Sequence, residues 1–205
     1  EFFVKLMHQL SEVYGIEIVS YCVMSNHFHI LLQKPSKERI SNREMISRWK
    51  LMYGEKGVQS RVNELNQLRK LAGEKAYQKR LSELKQRFFD LSVFMQELQQ
   101  RFTRWYNKKH KRKGTLWESR YKSVLVEGAN MPLLRVAAYI ELNPVRAKMV
   151  QDPKDYRFCS YAAALGGHRL AKWGIEILFK NTVDPNMTWK DILSRYRFML
   201  FGSSK

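Results

Sequence analysis

Two histidines one residue apart, His27 and His29, are the first residues in the chain that could do chemistry. Side chains alternate between the two faces of a β-strand, so on a strand these imidazoles share one face and Phe28 points to the other, into a core. Two imidazoles on one face can bind a single metal ion. The alternative is a pair of ordinary histidines, one of them partly buried and hydrogen-bonded, and the pattern alone leaves it open.

A second group lies in the segment YIELNPVRA, residues 139–147. Tyr139 and Asn143 are four residues apart, so on a helix they share a face. The amide oxygen of Asn143 could then be a third metal ligand, with the phenol of Tyr139 beside the same ion. The alternative is a half-buried tyrosine that only packs, and an asparagine that only ends a helix before Pro144.

Basic residues interleaved with aromatic ones form the third group. Aromatic rings beside cations suit single-stranded nucleic acid, whose exposed bases stack on them. The alternative is a solvated charged loop whose aromatic residues belong to the core. The cations expected to contact DNA are Lys108, Lys109, Lys111, Arg112, Lys113, Arg120, Lys122 and Arg146. The aromatic residues among them are Trp105, Tyr106, Trp117 and Tyr121.

The charge balance favours a nucleic-acid partner. The chain of 205 residues carries a formal charge of +18, and a basic surface attracts polyanions by releasing their counterions. An anionic membrane surface is the competing partner, but it usually requires a basic amphipathic helix without a folded site. No apolar run approaches the roughly 18 residues that span a bilayer. We therefore expect DNA as the partner and no membrane.

The two cysteines, Cys22 and Cys159, have no spacing typical of a disulfide framework or of a cysteine-based zinc site. Such sparse cysteine is usual in a reducing compartment. The expected location is the cytoplasm, in association with the nucleoid.

The elements that must position these groups follow from periodicity and turn residues. We predict helices at 1–14, 39–53, 91–106 and 130–143 and strands at 16–24, 27–33 and 119–127. Strand alternation would place Arg120 and Lys122 on one face. The segment NKKHKRKG at 107–114 is predicted as a basic loop. After residue 143, two or three short helices are expected, with loops at 166–167 and 184–185.

Residues 55–90 are highly charged, with leucines at helical spacing and Gly73 near the middle. This pattern predicts an inserted helical hairpin whose leucines bury one another. Its role is open between a solubilising protrusion, a DNA clamp and a dimer contact.

Four motifs in order resemble a known family. YCVMSNHFHILLQ resembles the His-hydrophobe-His signature of the single-tyrosine transposases. The motifs GTLWESRYKSVLVE, LLRVAAYIELNPVRAKMV and DPKDYRFCSYAAALGG resemble the second half of the REP-associated tyrosine transposases. The resemblance covers most of residues 1–54 and 91–167. Two departures are Ser25, where members usually have Pro, and Glu141, where they commonly have His.

The resemblance implies a ferredoxin-like α/β (α+β) fold, with an antiparallel sheet and helices on one face. The catalytic domain is accordingly expected at 1–167, and the short helices predicted in the tail form a helical C-terminal extension at 168–205. The family's first strand normally precedes the helix predicted at 1–14. We therefore expect a longer natural protein, and here an incomplete sheet with a gap or exposed edge beside 27–33.

The resemblance also implies metal ligation by His27 and His29, Asn143 near the metal, and Tyr139 as nucleophile. The expected ion is Mg²⁺ or Mn²⁺. The expected reaction is cleavage and strand transfer of single-stranded DNA, at hairpins, through a 5′-phosphotyrosine intermediate.

Two other functions remain open at the level of sequence. The first is a non-catalytic protein that keeps the fold and binds DNA hairpins. The second is a metal-dependent hydrolase of small substrates, which explains the histidine pair but not the charge of +18. Whether the protein is a monomer or a homodimer is also open.

Overall fold

A computed structural model describes residues 1–36, 39–127, 130–179 and 187–202. The fold is mixed α/β, mostly helical, with a two-stranded antiparallel sheet, and it is consistent with a ferredoxin-like α+β fold. In chain order the elements are α1 (Phe2–Tyr14), β1 (Glu17–Val23), β2 (Phe28–Gln33), α2 (Asn42–Gln86), α3 (Leu91–Lys109), α4 (Asn130–Glu141), α5 (Asn143–Arg146), a 3-10 turn (Pro153–Asp155), α6 (Ser160–Leu165), α7 (Arg169–Phe179) and α8 (Trp189–Phe201).

The sheet is a hairpin of β1 and β2, joined by a turn in which the backbone N–H of Met24 donates to the carbonyl of His27 at 2.9 Å. β1 is buried along its centre, whereas β2 is largely half-exposed. Within the described ranges no third strand joins this sheet, and an isolated antiparallel bridge pairs Cys22 with Cys159. The expectation of an incomplete sheet is therefore confirmed for these residues.

The prediction of a strand at 119–127 is wrong. These residues adopt neither helix nor strand, and Val124 and Leu125 are 87% and 98% exposed. The run SVLVE has the side chains of a strand, but a strand also needs a neighbouring backbone to accept and donate its hydrogen bonds. Alternation therefore does not place Arg120 and Lys122 on a common strand face.

The chain divides into two compact units, each with its own apolar core. Unit 1 comprises Glu1, residues 18–33 and residues 122–205, and it contains most of the sheet together with α4 to α8. In its core, α4 packs against β2, α7 and α8. Helix α7 approaches β1 so closely at Gly174 that an added Cβ would lie 2.5 Å from the carbonyl oxygen of Ile18. Only glycine permits this approach.

Unit 2 comprises residues 2–17 and 34–121, with α1 packed against both α2 and α3. Apolar positions of α1 at helical spacing, such as Phe3, Leu6 and Leu10, are buried. Phe3 meets Phe102 of α3 edge-to-face, with ring centroids 5.1 Å apart. Beyond α2, the backbone N–H of Phe89 donates to the carbonyl of Tyr14 at 2.7 Å, which fixes the end of α1.

The helical hairpin predicted within 55–90 is confirmed. Helix α2 is interrupted at Gly54 (φ 64°) and Gly73 (φ 81°), backbone conformations that favour glycine. Leu65 and Leu81 would lie about 24 Å apart in an unbroken helix, yet both belong to one buried cluster that also contains Val58. The chain therefore folds back at Gly73.

The boundaries predicted after residue 106 have different outcomes. α3 continues to Lys109, so the segment predicted as a loop at 107–114 begins as helix. The loop at 166–167 is present, and Gly167 has a φ of 85°. The loop predicted at 184–185 lies outside the described residues. The domain boundary at 167 remains a prediction, although α7 and α8 contribute Ile175 and Tyr196 to the same buried cluster as α4.

We predict that Leu81→Ala lowers the free energy of unfolding by about 2–4 kcal/mol, because it opens a cavity inside the hairpin. The matched control is Leu71→Ala, at a leucine that is 89% exposed, for which we expect a change within about 0.5 kcal/mol. Denaturant titration of both variants measures the difference. Equal losses would contradict the hairpin core.

Candidate active site

Two histidines and a tyrosine meet in unit 1. The ring centroids of His27 and His29 lie 5.2 Å apart and those of His29 and Tyr139 lie 6.0 Å apart, each pair edge-to-face. His27 immediately precedes β2 and His29 lies within it, so the hairpin turn and the strand place both rings. Tyr139 comes from the last turn of α4 and is 47% exposed. The three rings therefore form one group that solvent reaches.

Helical periodicity explains why Tyr139 faces outward. Leu134, Ala137, Ala138 and Glu141 are all buried, at the spacing i, i+3, i+4 and i+7 of a single helix face. Tyr139 lies off this face, since it is 200° around the helix from Glu141 at about 100° per residue. The buried face of α4 thus determines where the phenol points.

Glu141 is a fully buried carboxylate in an otherwise apolar helix face. Its Oε2 accepts from the backbone N–H of Tyr161 at 3.1 Å, and its Oε1 accepts from the hydroxyls of Ser20, at 3.2 Å, and Ser160. These bonds join α4 to β1 and to the first turn of α6. Burial raises the pKa of Glu141 to about 7, although the hydrogen bonds to its charged form oppose that rise.

The same burial acts on the neighbouring thiols. Cys22 and Cys159 are free and fully buried. Burial raises the pKa of Cys22 to about 12, and the nearby Glu141 adds to the rise. The pKa of Cys159 is raised for the same two reasons, and its Sγ lies 3.1 Å from the carbonyl of Pro153. Neither cysteine therefore offers a thiolate to a metal or a substrate.

The surroundings of His29 favour its neutral imidazole, the form that binds a metal. Burial lowers the pKa of His29, and the adjacent His27 lowers it further. Nδ1 of His27 lies 2.8 Å from Oδ1 of Asn26, an oxygen that can only accept. This contact favours a proton on Nδ1 and leaves Nε2 of His27 with a free electron pair.

Two further residues lie beside Tyr139. The guanidinium of Arg146 lies 4.5 Å from the centroid of the Tyr139 ring. Asn143 begins α5 instead of continuing α4, because Pro144 starts a new helical turn. Its Nδ2 donates to the carbonyls of Tyr139, at 3.0 Å, and Ile140, at 3.2 Å. Asn143 therefore caps the end of α4, and its Oδ1 is the atom that could bind a metal.

The metal donors that the structure brings together are the two imidazoles, and Asn143 is linked to the ring group through its bond to the carbonyl of Tyr139. Within the described parts of the chain, no group of three His, Cys, Asp or Glu side chains is arranged to bind a metal. A site at His27 and His29 therefore needs Asn143, water or substrate oxygens to complete it. Imidazole suits zinc-like ions, whereas an amide oxygen and water suit Mg²⁺ or Mn²⁺, so this donor set by itself does not select one ion.

The structure places the predicted DNA-binding cations in three settings. Arg146 lies at the tyrosine, and Lys122 belongs to unit 1. The remaining cations all belong to unit 2, at the end of α3 and in the segment that follows. Several of these contact aromatic rings, with Lys109 over Trp105 at 5.0 Å and Arg112 over Tyr106 at 5.8 Å. The interleaved aromatic residues therefore hold cations at the surface.

Three contacts of the site go beyond the predictions made from sequence. Arg146 was chosen for its charge alone, yet its place seven residues after Tyr139, two helical turns on, was visible in the sequence. Asn26 precedes His27 directly, and nothing in the sequence pattern indicates the bond between them. Glu141 was noted only as a departure from a family pattern, although it completes an apolar helical stripe.

The protein is basic and has a mixed α/β fold, and it brings two histidines and a half-exposed tyrosine together. Residues 1–81 match the family model described as IS200-like transposases. The match covers 81 of the 205 residues, and this part of the chain is similar to those transposases. It includes both histidines and ends before Tyr139.

Searches of curated proteins and of solved structures found no significant match. Among the helices of the described residues, none is long and apolar enough to cross a bilayer.

We predict that Glu141→Leu lowers the free energy of unfolding by about 2–4 kcal/mol, because the Tyr161 N–H and two hydroxyls lose their acceptor. Glu141→Gln keeps a carbonyl oxygen as an acceptor, so its free energy of unfolding should fall clearly less than that of Glu141→Leu. The control is Glu127→Leu, at an exposed glutamate of the same unit. Denaturant titrations at one pH measure all three, and equal losses for Leu and Gln at position 141 would contradict the hydrogen-bonding role.

Proposed function

We propose that the protein is a REP-associated tyrosine transposase, which cleaves and rejoins single-stranded DNA at hairpins through a 5′-phosphotyrosine intermediate. The observation that carries this proposal is the meeting of His27, His29 and Tyr139, with Arg146 over the tyrosine ring. The family match at residues 1–81 and the charge of +18 support DNA as the substrate.

In the proposed reaction, Oη of Tyr139 attacks the scissile phosphorus and its phenolic proton passes to solvent. The bond from phosphorus to the 3′ oxygen breaks, and that oxygen takes a proton to become a free 3′-OH. The 5′ phosphate stays on the tyrosine as a diester, so its bond energy is kept. A second 3′-OH can then attack the phosphotyrosine, which restores the DNA linkage and frees Tyr139. The half-exposed position of Tyr139 suits a polymeric substrate.

The other residues bind and position the phosphate. The guanidinium of Arg146 offers charge-assisted hydrogen bonds to phosphate oxygens close to the phenol. His27, His29 and Asn143 would hold a divalent ion, Mg²⁺ or Mn²⁺. Such an ion supplies charge that polarises the scissile phosphate. Asn143 also fixes the last turn of α4 through its bonds to the carbonyls of Tyr139 and Ile140.

A non-catalytic DNA-hairpin binder with the same fold is the second candidate, because the basic turn after α3 serves binding without chemistry. Covalent capture of DNA separates the two functions. We further propose the cytoplasm, in association with the nucleoid, as the place of action, since the substrate is there.

We predict that Tyr139→Phe abolishes DNA cleavage and leaves DNA affinity within about threefold, because the phenyl ring still packs while the attacking oxygen is gone. The measurement is a denaturing gel of labelled single-stranded hairpin DNA incubated with Mn²⁺, on which wild type gives a protein–DNA adduct.

The matched control is Tyr77→Phe, at a partly buried tyrosine that also carries an arginine, Arg69, over its ring at 5.3 Å. It should form the adduct at the wild-type rate. An adduct in Tyr139→Phe would assign the nucleophile to another residue, and no adduct in wild type would favour the binding protein.

We also predict that His27→Ala and His29→Ala each weaken Mn²⁺ binding by about 10-fold or more, since each removes one ligand, and lower cleavage in parallel. Calorimetric titration with Mn²⁺ measures binding without DNA. The control is His168→Asn, which keeps a side chain able to cap α7 and should bind Mn²⁺ as wild type does. If both alanine variants bind Mn²⁺ with the wild-type affinity, the assignment of a metal site to these histidines is wrong.

A further inference from the structure

Unit 2 contains a cleft that the proposed chemistry does not use. It has a volume of about 780 Å³ and lies between α3 and the segment 115–121 that returns along it. This volume falls within the roughly 300–1,000 Å³ typical of small-ligand pockets. Its lining includes Gln96, Gln99, Gln100, Arg104, Trp117 and Tyr121.

The aromatic walls of the cleft are held in place. The indole N–H of Trp117 donates to the carbonyl of Gln99, at 3.2 Å, and to the hydroxyl of Thr103, at 2.9 Å. Its ring lies 6.0 Å from that of Phe102. On the other side, the hydroxyl of Tyr121 bonds to Ser92 at 3.3 Å. The two rings are therefore fixed before any ligand arrives.

The glutamines along the cleft are available to a ligand. Gln96 and Gln100 are exposed, and their amides make no hydrogen bond with another described residue. An amide presents a donor and an acceptor side by side, which is the pattern that the edge of a nucleobase offers in return. Aliphatic or acidic ligands would not use this pairing.

The charge of the cleft favours a phosphodiester. Arg104 and Arg120 line it, and none of its eleven lining residues is Asp or Glu. Gln96, Gln100, Arg104 and Lys108 are each four residues apart on α3 and all exposed, so they form one stripe. The stripe leads from the cleft to the basic turn of Lys111, Arg112 and Lys113.

We propose that this cleft binds an unpaired nucleotide of single-stranded DNA and distinguishes its base. Gln96 and Gln100 bond to the base edge, Trp117 and Tyr121 offer rings for stacking, and Arg104 binds the adjoining phosphate. The proposal rests on the proposed function for its substrate class. It adds a second contact with the DNA, in a different unit from Tyr139.

The test uses the whole 205-residue protein with the change Tyr139→Phe, in EDTA, so that neither cleavage nor metal affects the result. Fluorescence anisotropy measures affinity for labelled dA, dC and dT dodecamers at two salt concentrations. The double change Gln96→Ala with Gln100→Ala should weaken binding of the preferred dodecamer by roughly 5- to 50-fold and remove the preference. Arg104→Gln should weaken all three alike and reduce the salt slope by about one.

The matched control is Gln151→Ala, at an exposed glutamine of unit 1, which should bind all three dodecamers as its parent does. The cleft proposal is overturned if the double variant behaves like this control, or if it weakens all three dodecamers equally. The outcome is independent of the chemistry. If wild type forms the adduct and the double variant binds DNA as its parent does, the cleft proposal is rejected and the cleavage proposal stands. If the double variant loses the base preference and wild type forms no adduct, the cleavage proposal is rejected and the cleft proposal stands.

Discussion

The burial of one carboxylate, Glu141, is the constraint on which the arrangement of unit 1 depends. A carboxylate without solvent must be satisfied by protein donors, and here these come from Ser20 on β1 and from Ser160 and Tyr161 on α6. The bonds fix the rotation of α4 about its axis. Because Tyr139 lies on the far side of that helix, the same rotation turns its phenol towards His29.

The exposure of the ring group is a compromise between two needs. In the proposed reaction the site takes a polymer and must be open, so its electrostatic interactions are not strengthened much by a low dielectric. A neutral imidazole is the form that binds a metal, and the partial burial of His29 and the closeness of His27 both lower the pKa of His29. The hairpin turn supplies this balance, since it holds His27 at the strand end and His29 one residue inside.

The parts of the fold that sequence predicted best are those determined by local pattern. The alternation around His29, the stripe along α4 and the break at Gly73 are each visible within a few residues. The segment around Leu125 failed because strand formation depends on a partner backbone elsewhere. For the site, the spacing of the histidines predicts that they share a face. The contact between His29 and Tyr139 joins residues far apart in sequence, so local spacing cannot predict it. Only the family resemblance indicated that these two residues belong to one site.

The backbone β-bridge between the free cysteines Cys22 and Cys159 makes their reactivity a measure of local unfolding. Both thiols are buried, so alkylating reagents and oxidants cannot reach them in the folded protein. Burial also raises the pKa of each thiol, so the reactive thiolate form is scarce. Modification must wait until β1 separates from the residues before α6. The rate at which the two thiols react therefore reports how often unit 1 opens, in a chain whose described residues offer no other cysteine.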